Sequence, residues 1–146
     1  NGPDAEIQKA LAEAKAAEEA AAQAAEEAEA EQNARQSLVD YALQFVGGAY
    51  KAGGSDPHTG ADCSGFIMSI YAKFGVSLPH SSGAMAGCGR GVSYSEAMPG
   101  DIICYAGHVA IYMGGGQIVH ASNAKDGIKI SGNAAYRPIV AVRRVL

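Results

Sequence analysis

The chain lacks any uninterrupted apolar run approaching the ~18–20 residues that a membrane-spanning helix requires, so a helical membrane protein is excluded. Cysteine is scarce: three thiols in 146 residues rule out a disulfide scaffold, and the odd number leaves at least one without an intramolecular partner. Neither a C-x-x-C nor an H-x-x-x-H pair occurs, so the local ligand pairs of a zinc site are missing. Lys and Arg never gather into a stripe able to track a phosphate backbone, which makes nucleic acid a poor partner. No signal-peptide pattern is present, and the chain opens at Asn1 rather than Met, as expected of a processed or truncated product.

What is present divides into two dissimilar parts. Residues 1–35 hold 14 alanines, with nine acids (Asp4 and eight Glu) against three bases (Lys9, Lys15, Arg35), a charge of 3 − 9 = −6. The other 111 residues carry eight bases against six acids, 8 − 6 = +2, and all but one of the 19 glycines. The first part is a helix former; the second is long enough for one domain with its own core and too short for two.

Residues 4–35 contain no Gly or Pro and are dominated by Ala, Glu, Gln and Lys, which predicts one continuous helix with Asp4 as its N-cap. Only Ile7 and Leu11 supply large apolar side chains, so no leucine-type seam forms. Such a helix is a solvated spacer or the end of a coiled coil, and it offers a surface for self-association. SLVDYALQFVGG then predicts a core-facing helix with Leu38, Tyr41, Ala42, Phe45 and Val46 on one face, closed by Gly47. Residues 48–61 read as a loop, and a second amphipathic helix starts at Asp62 or Cys63 and runs to Gly75. After a short helical or irregular stretch at residues 81–90, DIICY, HVAIYM, QIVHAS, GIKIS and IVAVRRVL alternate as strands. Helices followed by strands imply an α+β domain over residues 36–146 with an antiparallel sheet.

Cys63 opens the second helix, where unpaired backbone N–H groups favour thiolate over thiol. It precedes Phe66 by three and Ile67 by four, so it lies on the inward face, and Gly65 would let a substrate backbone approach. In HVAIYMGGGQIVHAS the parity of the hairpin loop decides the rest. With an odd loop such as Gly114–Gly116, Met113 pairs with Gln117, Ala110 faces His120, and His108 and His120 share a face as diagonal neighbours ~7–8 Å apart. A two-residue loop would put them on opposite faces. A cysteine at a helix start, a strand histidine and a polar group behind it follow the logic of an activated nucleophile. Cys63, His108 and His120 are also acceptable zinc ligands by type, but without local pairs no metal or other cofactor is expected. Cys104 reads as a core residue, Cys88 as a loop thiol, with a bond between them left open; His58 and His80 read as loop residues.

GGAYKAGG, ADCSGF, MPGDIICYAGHVAIYMGGGQIVHAS and the terminal IVAVRRV, in that order, resemble the NlpC-like (p-sixty-type) bacterial cell-wall cysteine peptidases across residues 36–146. The resemblance implies a papain-like α+β domain, with Cys63 as nucleophile, His108 as general base and His120 as the orienting residue. It also implies Tyr50 beside the developing oxyanion, and Asp62 and Ser64 as binders of a free substrate amine. The implied reaction is hydrolysis of the D-γ-glutamyl to diamino acid bond in peptidoglycan stem peptides, in a secreted protein at the bacterial cell wall or surface. The alternatives are an inactive cell-wall binding or scaffold module and a papain-like amidase acting on another amide bond. One departure is LPHSSGAMAG, where relatives often carry Arg at the position of His80. A chain beginning near Gln36 is expected to keep the activity.

Overall fold

The computed structural model describes residues 2–146. It forms two units, one ending at Ala34 and one spanning Arg35–Leu146. No helix among the described residues is long and apolar enough to cross a membrane.

The first unit is helical and its residues 2–33 are exposed, Ile7 and Leu11 by 54% and 59%. The helix α1 runs Pro3–Leu43 without interruption, so the two helices expected from the sequence are one. Nothing in NARQS stops it, since that junction holds neither Gly nor Pro. Its start also differs from expectation. The Gly2 carbonyl accepts from the amides of Ala5 and Glu6, Pro3 takes the first helical position, and Asp4 lies in the first turn rather than at the cap.

In the second unit, the end of α1 buries Leu38, Val39 and Ala42. The α-helix stops at Leu43 and a tighter turn carries the chain to Gly47, whose φ of 94° reverses it. The helical phase therefore does not extend to Val46, which is expected on the core face and is exposed, while Val39, which is not expected there, is buried. Residues 48–61 contain a small hairpin, β1 (Ser55–Asp56) and β2 (Gly60–Ala61), followed by α2 (Cys63–Ala72) and a single helical turn α3 (Ser82–Met85).

Six strands follow: β3 (Arg90–Gly91), β4 (Ile102–Tyr105), β5 (His108–Gly114), β6 (Gln117–Asn123), β7 (Gly127–Ser131) and β8 (Ile139–Arg144). They form one antiparallel sheet in the order β3-β8-β4-β5-β6-β7. Period-two alternation sorts its residues between two cores. Ile102, Cys104, Val109, Ile111 and Val119 join Phe66, Ile67 and Ile70 of α2 and the buried end of α1. Ile103, Tyr105, Ala110, Tyr112 and Ile118 pack on the opposite face with Ala134 and Val142. The arginines of the terminal VRRV are structural: Arg144 makes a two-pronged pair with the fully buried Asp101 at 2.8 and 2.7 Å, and Arg143 donates to the carbonyls of Cys88 and Gly89.

The β5–β6 hairpin reaches the expected parity by a different route. Ile111 pairs with Val119 and Tyr112 with Ile118, but Gly114 rather than Met113 pairs with Gln117. The turn is thus only Gly115–Gly116, both at positive φ (61° and 80°), the backbone of a type I′ turn that non-Gly residues adopt at a cost. A register shift between Tyr112 and Gly114 inserts the extra residue. Two turn residues plus one bulge residue leave His108 and His120 on the same face.

Candidate active site

Two groups of side chains meet at the start of β5. The first surrounds Cys63 at the N-terminus of α2. Asp62 caps that helix, its backbone extended and its Oδ1 accepting from the Gly65 amide at 2.8 Å. The same oxygen accepts from the Ser64 hydroxyl at 3.4 Å and stands 2.8 Å from His80 Nε2, while Oδ2 accepts from the Gly53 amide at 3.0 Å. Burial pushes the Asp62 carboxyl up, but the His80 bond and the two amides together outweigh it and hold the group below the usual carboxylate range. Its charge is fixed next to the sulfur.

Gly65 is required by the chain itself. A Cβ there would lie 2.0 Å from the Gly54 carbonyl oxygen, so the missing side chain admits the protein's own loop rather than a substrate backbone. That loop also brings Tyr50 into the group through a bridge to Ala61. The Tyr50 phenol is pushed up by burial first and then by the neighbouring Cys63 and Asp62, each unfavourable to a second anion, and stays neutral.

The Cys63 thiol is half-buried, and α2 packs on β5 and β6. Backbone N–H groups of Val109, Ser64 and Cys63 itself favour its thiolate, yet burial and the Asp62 charge prevail and push the thiol up from its ordinary value. The amides at the helix start favour the thiolate as its position predicts, but they do not outweigh burial and the Asp62 charge. The residue that caps the helix is also the anion that opposes a second negative charge.

The second group lies one residue away from Val109. His108 Nε2 is 2.7 Å from His120 Nδ1, and His120 Nε2 is 2.8 Å from Ser131 Oγ. Ser131 sits diagonally across from His120, because β6–β7 pairing matches His120 with Lys129 and Ile118 with Ser131. Both rings are buried. Burial, then the Arg137 charge, lowers His108 to about 4; burial, then the charges of His108 and Lys129, lowers His120 to about 4. Tyr105 stacks on His108 with centroids 5.8 Å apart, and Tyr136 covers the edge of Tyr105 and approaches His120.

The expected residues form two groups, Cys63, Asp62, Ser64 and Tyr50 around the start of α2 and His108 with His120 on β5 and β6, and the Val109 backbone next to His108 is what reaches Cys63. Among the described residues, no three His, Cys, Asp or Glu side chains are grouped as metal ligands. His80 is not a bystander, as its sequence context implied, but a partner of Asp62 across 18 residues. No local spacing announces that contact. Ser131 is a further member that the motifs do not mark; extending the strand register from β5–β6 to β6–β7 is the signal that finds it. Cys88 and Cys104 are both free. Cys104 is buried in the core and pushed up to about 11 by that burial. His58 remains a loop residue, its ring bonded to Asp56 and edge-on to Phe45.

A cysteine-bearing helix packed on an antiparallel sheet, with two bonded histidines on neighbouring strands of that sheet, defines a papain-like α+β domain. Residues 47–141 match the family model described as NlpC/P60 family, and the chain belongs to that family. It is 38% identical over 113 residues to a probable endopeptidase of Mycobacterium tuberculosis, covering 75% of this chain and 29% of that protein. It is 34% identical over 97 residues to a bifunctional muramidase/DL-endopeptidase of Bacillus subtilis, covering 61% and 30% respectively. The chain thus spans less than a third of the length of these curated relatives. Among solved structures it resembles the peptidoglycan hydrolase RipB of Mycobacterium tuberculosis, with a TM-score of 0.64 and 32% identity over 78% of this chain and 67% of that one.

Proposed function

We propose that this domain is a cysteine endopeptidase of peptidoglycan stem peptides, acting outside the cell at the bacterial wall and hydrolysing the bond between D-γ-glutamate and the following diamino acid. The observation that carries the reading is the continuous relay His108–His120–Ser131 starting beside the Val109 amide against which the Cys63 sulfur lies. The names of the relatives, endopeptidases and a peptidoglycan hydrolase, support the substrate class.

The hydrogen bonds dictate the tautomers. His108 Nε2 is engaged with His120, so the nitrogen left to accept the thiol proton is Nδ1. A neutral His108 with Nδ1 free carries its proton on Nε2 and donates to His120 Nδ1. His120 must then carry its own proton on Nε2 and donate to Ser131 Oγ. In this arrangement Ser131 Oγ accepts from His120 Nε2 and so stabilises the pair of tautomers that leaves His108 Nδ1 free.

At rest the thiol is protonated and both imidazoles are neutral. As sulfur attacks the amide carbonyl, Nδ1 takes the thiol proton and the Nε2–H bond to His120 stabilises the imidazolium. The oxyanion falls to the amides of Cys63 and Ser64 with the Tyr50 hydroxyl nearby. His108 then protonates the leaving amine, and water hydrolyses the thioester. Asp62 is the group to receive a free substrate amine, with the Ser64 hydroxyl already turned toward it.

Digestion of purified peptidoglycan followed by mass spectrometry of the released fragments tests the reading. Fragments ending in D-γ-glutamate should appear with the native chain and vanish with Cys63→Ala. Cleavage at the sugar–peptide amide instead would make it an amidase, and an intact polymer would make it a binding or scaffold module.

A further inference from the structure

Three arginines lie in β8 or in the segment just before it, and two are consumed by the fold: Arg144 by Asp101 and the Glu96 carbonyl, Arg143 by the carbonyls of Cys88 and Gly89. Arg137, in the segment between β7 and β8, is different. Its Nη2 donates to the Ala106 carbonyl at 2.6 Å, and its guanidinium carbon lies 5.5 Å from the centroid of Tyr105. No Asp or Glu pairs with it among the described residues. One carbonyl and one ring face orient the group, and the rest of its planar fork of N–H donors is left to accept a bidentate anion.

The surroundings give that cation a place relative to the reaction. Tyr105 stacks on His108, Tyr136 packs edge-on to Tyr105, and Tyr136 is half-exposed. Arg137 is close enough for its charge to act on His108. His108 is the group that hands a proton to the leaving amine in the reaction proposed above, so the surface built on its outer side faces the residue that departs. A cation oriented there attracts a carboxylate and repels an ammonium. Diamino acids of peptidoglycan differ in this respect: the L-Lys side chain ends in an ammonium, whereas meso-diaminopimelate carries a further carboxylate.

We infer that Arg137, held by the Ala106 carbonyl and the Tyr105 ring beside His108, binds a substrate carboxylate on the leaving-group side of the scissile bond. The inference rests on the proposed peptidase reading, and it makes the domain selective for stem peptides that are anionic after the cleavage point. That carboxylate is supplied by the diamino acid's side chain or by the end of the stem peptide.

The test uses the full chain and four synthetic peptides built on L-Ala-γ-D-Glu-meso-diaminopimelate: both downstream carboxylates free, the side-chain one amidated, the terminal one amidated, and both amidated. The native chain should favour one free carboxylate by about tenfold in kcat/KM, the size of one charge-assisted hydrogen bond, and the peptide pair that shows the preference identifies its source. Arg137→Ala should collapse the ratio to near unity, with Arg137→Lys retaining part of it. An unchanged ratio in Arg137→Ala, an equal loss on all four peptides, or no preference in the native chain overturns the inference. Calorimetric binding of the same peptides to Cys63→Ala, with and without Arg137→Ala, reads the subsite independently of chemistry. If no peptide is cleaved but binding still discriminates through Arg137, the peptidase reading fails and the subsite stands; equal binding to free and amidated peptides removes the subsite.

Discussion

Acidification below pH 6.5 should destabilise this domain through its two buried histidines. His108 and His120 are each lowered from an ordinary 6.5 to about 4 in the folded state, a difference of 6.5 − 4 = 2.5. Between those values the unfolded chain binds more protons than the folded one, so stability rises with pH across the window. The full stability is present above 6.5 and is lost as pH falls toward 4. A pKa difference of one corresponds to ~1.4 kcal/mol, so one histidine costs ~2 kcal/mol at pH 5 and ~3 kcal/mol once pH is below 4. The rings share a hydrogen bond and the His108 charge is among the causes at His120, so the two costs are coupled; the pair is expected to remove ~2–4 kcal/mol at pH 5. Against a typical domain stability of ~5–15 kcal/mol this is a large fraction. Urea unfolding at pH 7.5 and pH 5.0 measures it. His120→Gln, whose amide can accept from His108 and donate to Ser131, removes one titrating ring and should flatten the difference by ~2 kcal/mol. A native chain equally stable at both pH values, or a His120→Gln chain with an undiminished drop, would refute the burial argument.

Four further outcomes follow from the same geometry. Asp62→Asn keeps a competent helix cap but removes the charge that pushes the Cys63 thiol up, so alkylation of Cys63 at pH 7 should accelerate several-fold; an unchanged rate would show that burial alone sets the thiol. Gly65→Ala drives a Cβ to 2.0 Å from the Gly54 carbonyl and should cost ~3 kcal/mol or more by chemical denaturation, with loss of the loop that carries Tyr50. Ser131→Ala leaves the His120 Nε2–H buried without an acceptor and frees both tautomers; kcat should fall about tenfold with KM little changed, and Ser131→Thr should restore it. A chain starting at Asn33 should unfold at the same denaturant concentration and retain hydrolysis, whereas one starting at Gln36 loses the buried Arg35 and should be less stable.

Strand content, sheet direction and the pairing of the two histidines are legible in the sequence because apolar alternation and turn parity are local properties. The hairpin shows the limit of such a reading. An odd offset is required, and the chain meets it with a two-residue Gly115–Gly116 turn and a bulge near Met113, a combination that the glycine run does not distinguish from a three-residue loop. The start of α1 at Pro3 and its continuity past Arg35 escape a reading by composition, because composition changes at residue 35 while the backbone does not. Contacts that cross the fold leave no periodic trace: Asp62 with His80 joins a helix cap to a loop, and the Gly65–Gly54 approach joins a helix to the preceding turn.

Cys63 is the most instructive departure, since the elementary argument is correct as far as it goes. Amides at the start of α2 do favour the thiolate, and so does the Val109 amide. What position in the sequence does not weigh is the carboxylate one residue upstream, held ionised by Gly53, Gly65 and His80 and placed where a second anion is unwelcome. On the opposite side, Arg137 and Lys129 oppose protonation of the histidines in the same way. An anion beside the thiol and cations beside the imidazoles both act against a thiolate–imidazolium pair at rest. Both effects favour a neutral thiol and neutral imidazoles, so on the proposed mechanism the ion pair is generated during attack. A substrate ammonium at Asp62 and a substrate carboxylate at Arg137 would each offset one of those opposing charges, so a peptide carrying both would also ease the proposed proton transfer from Cys63 to His108.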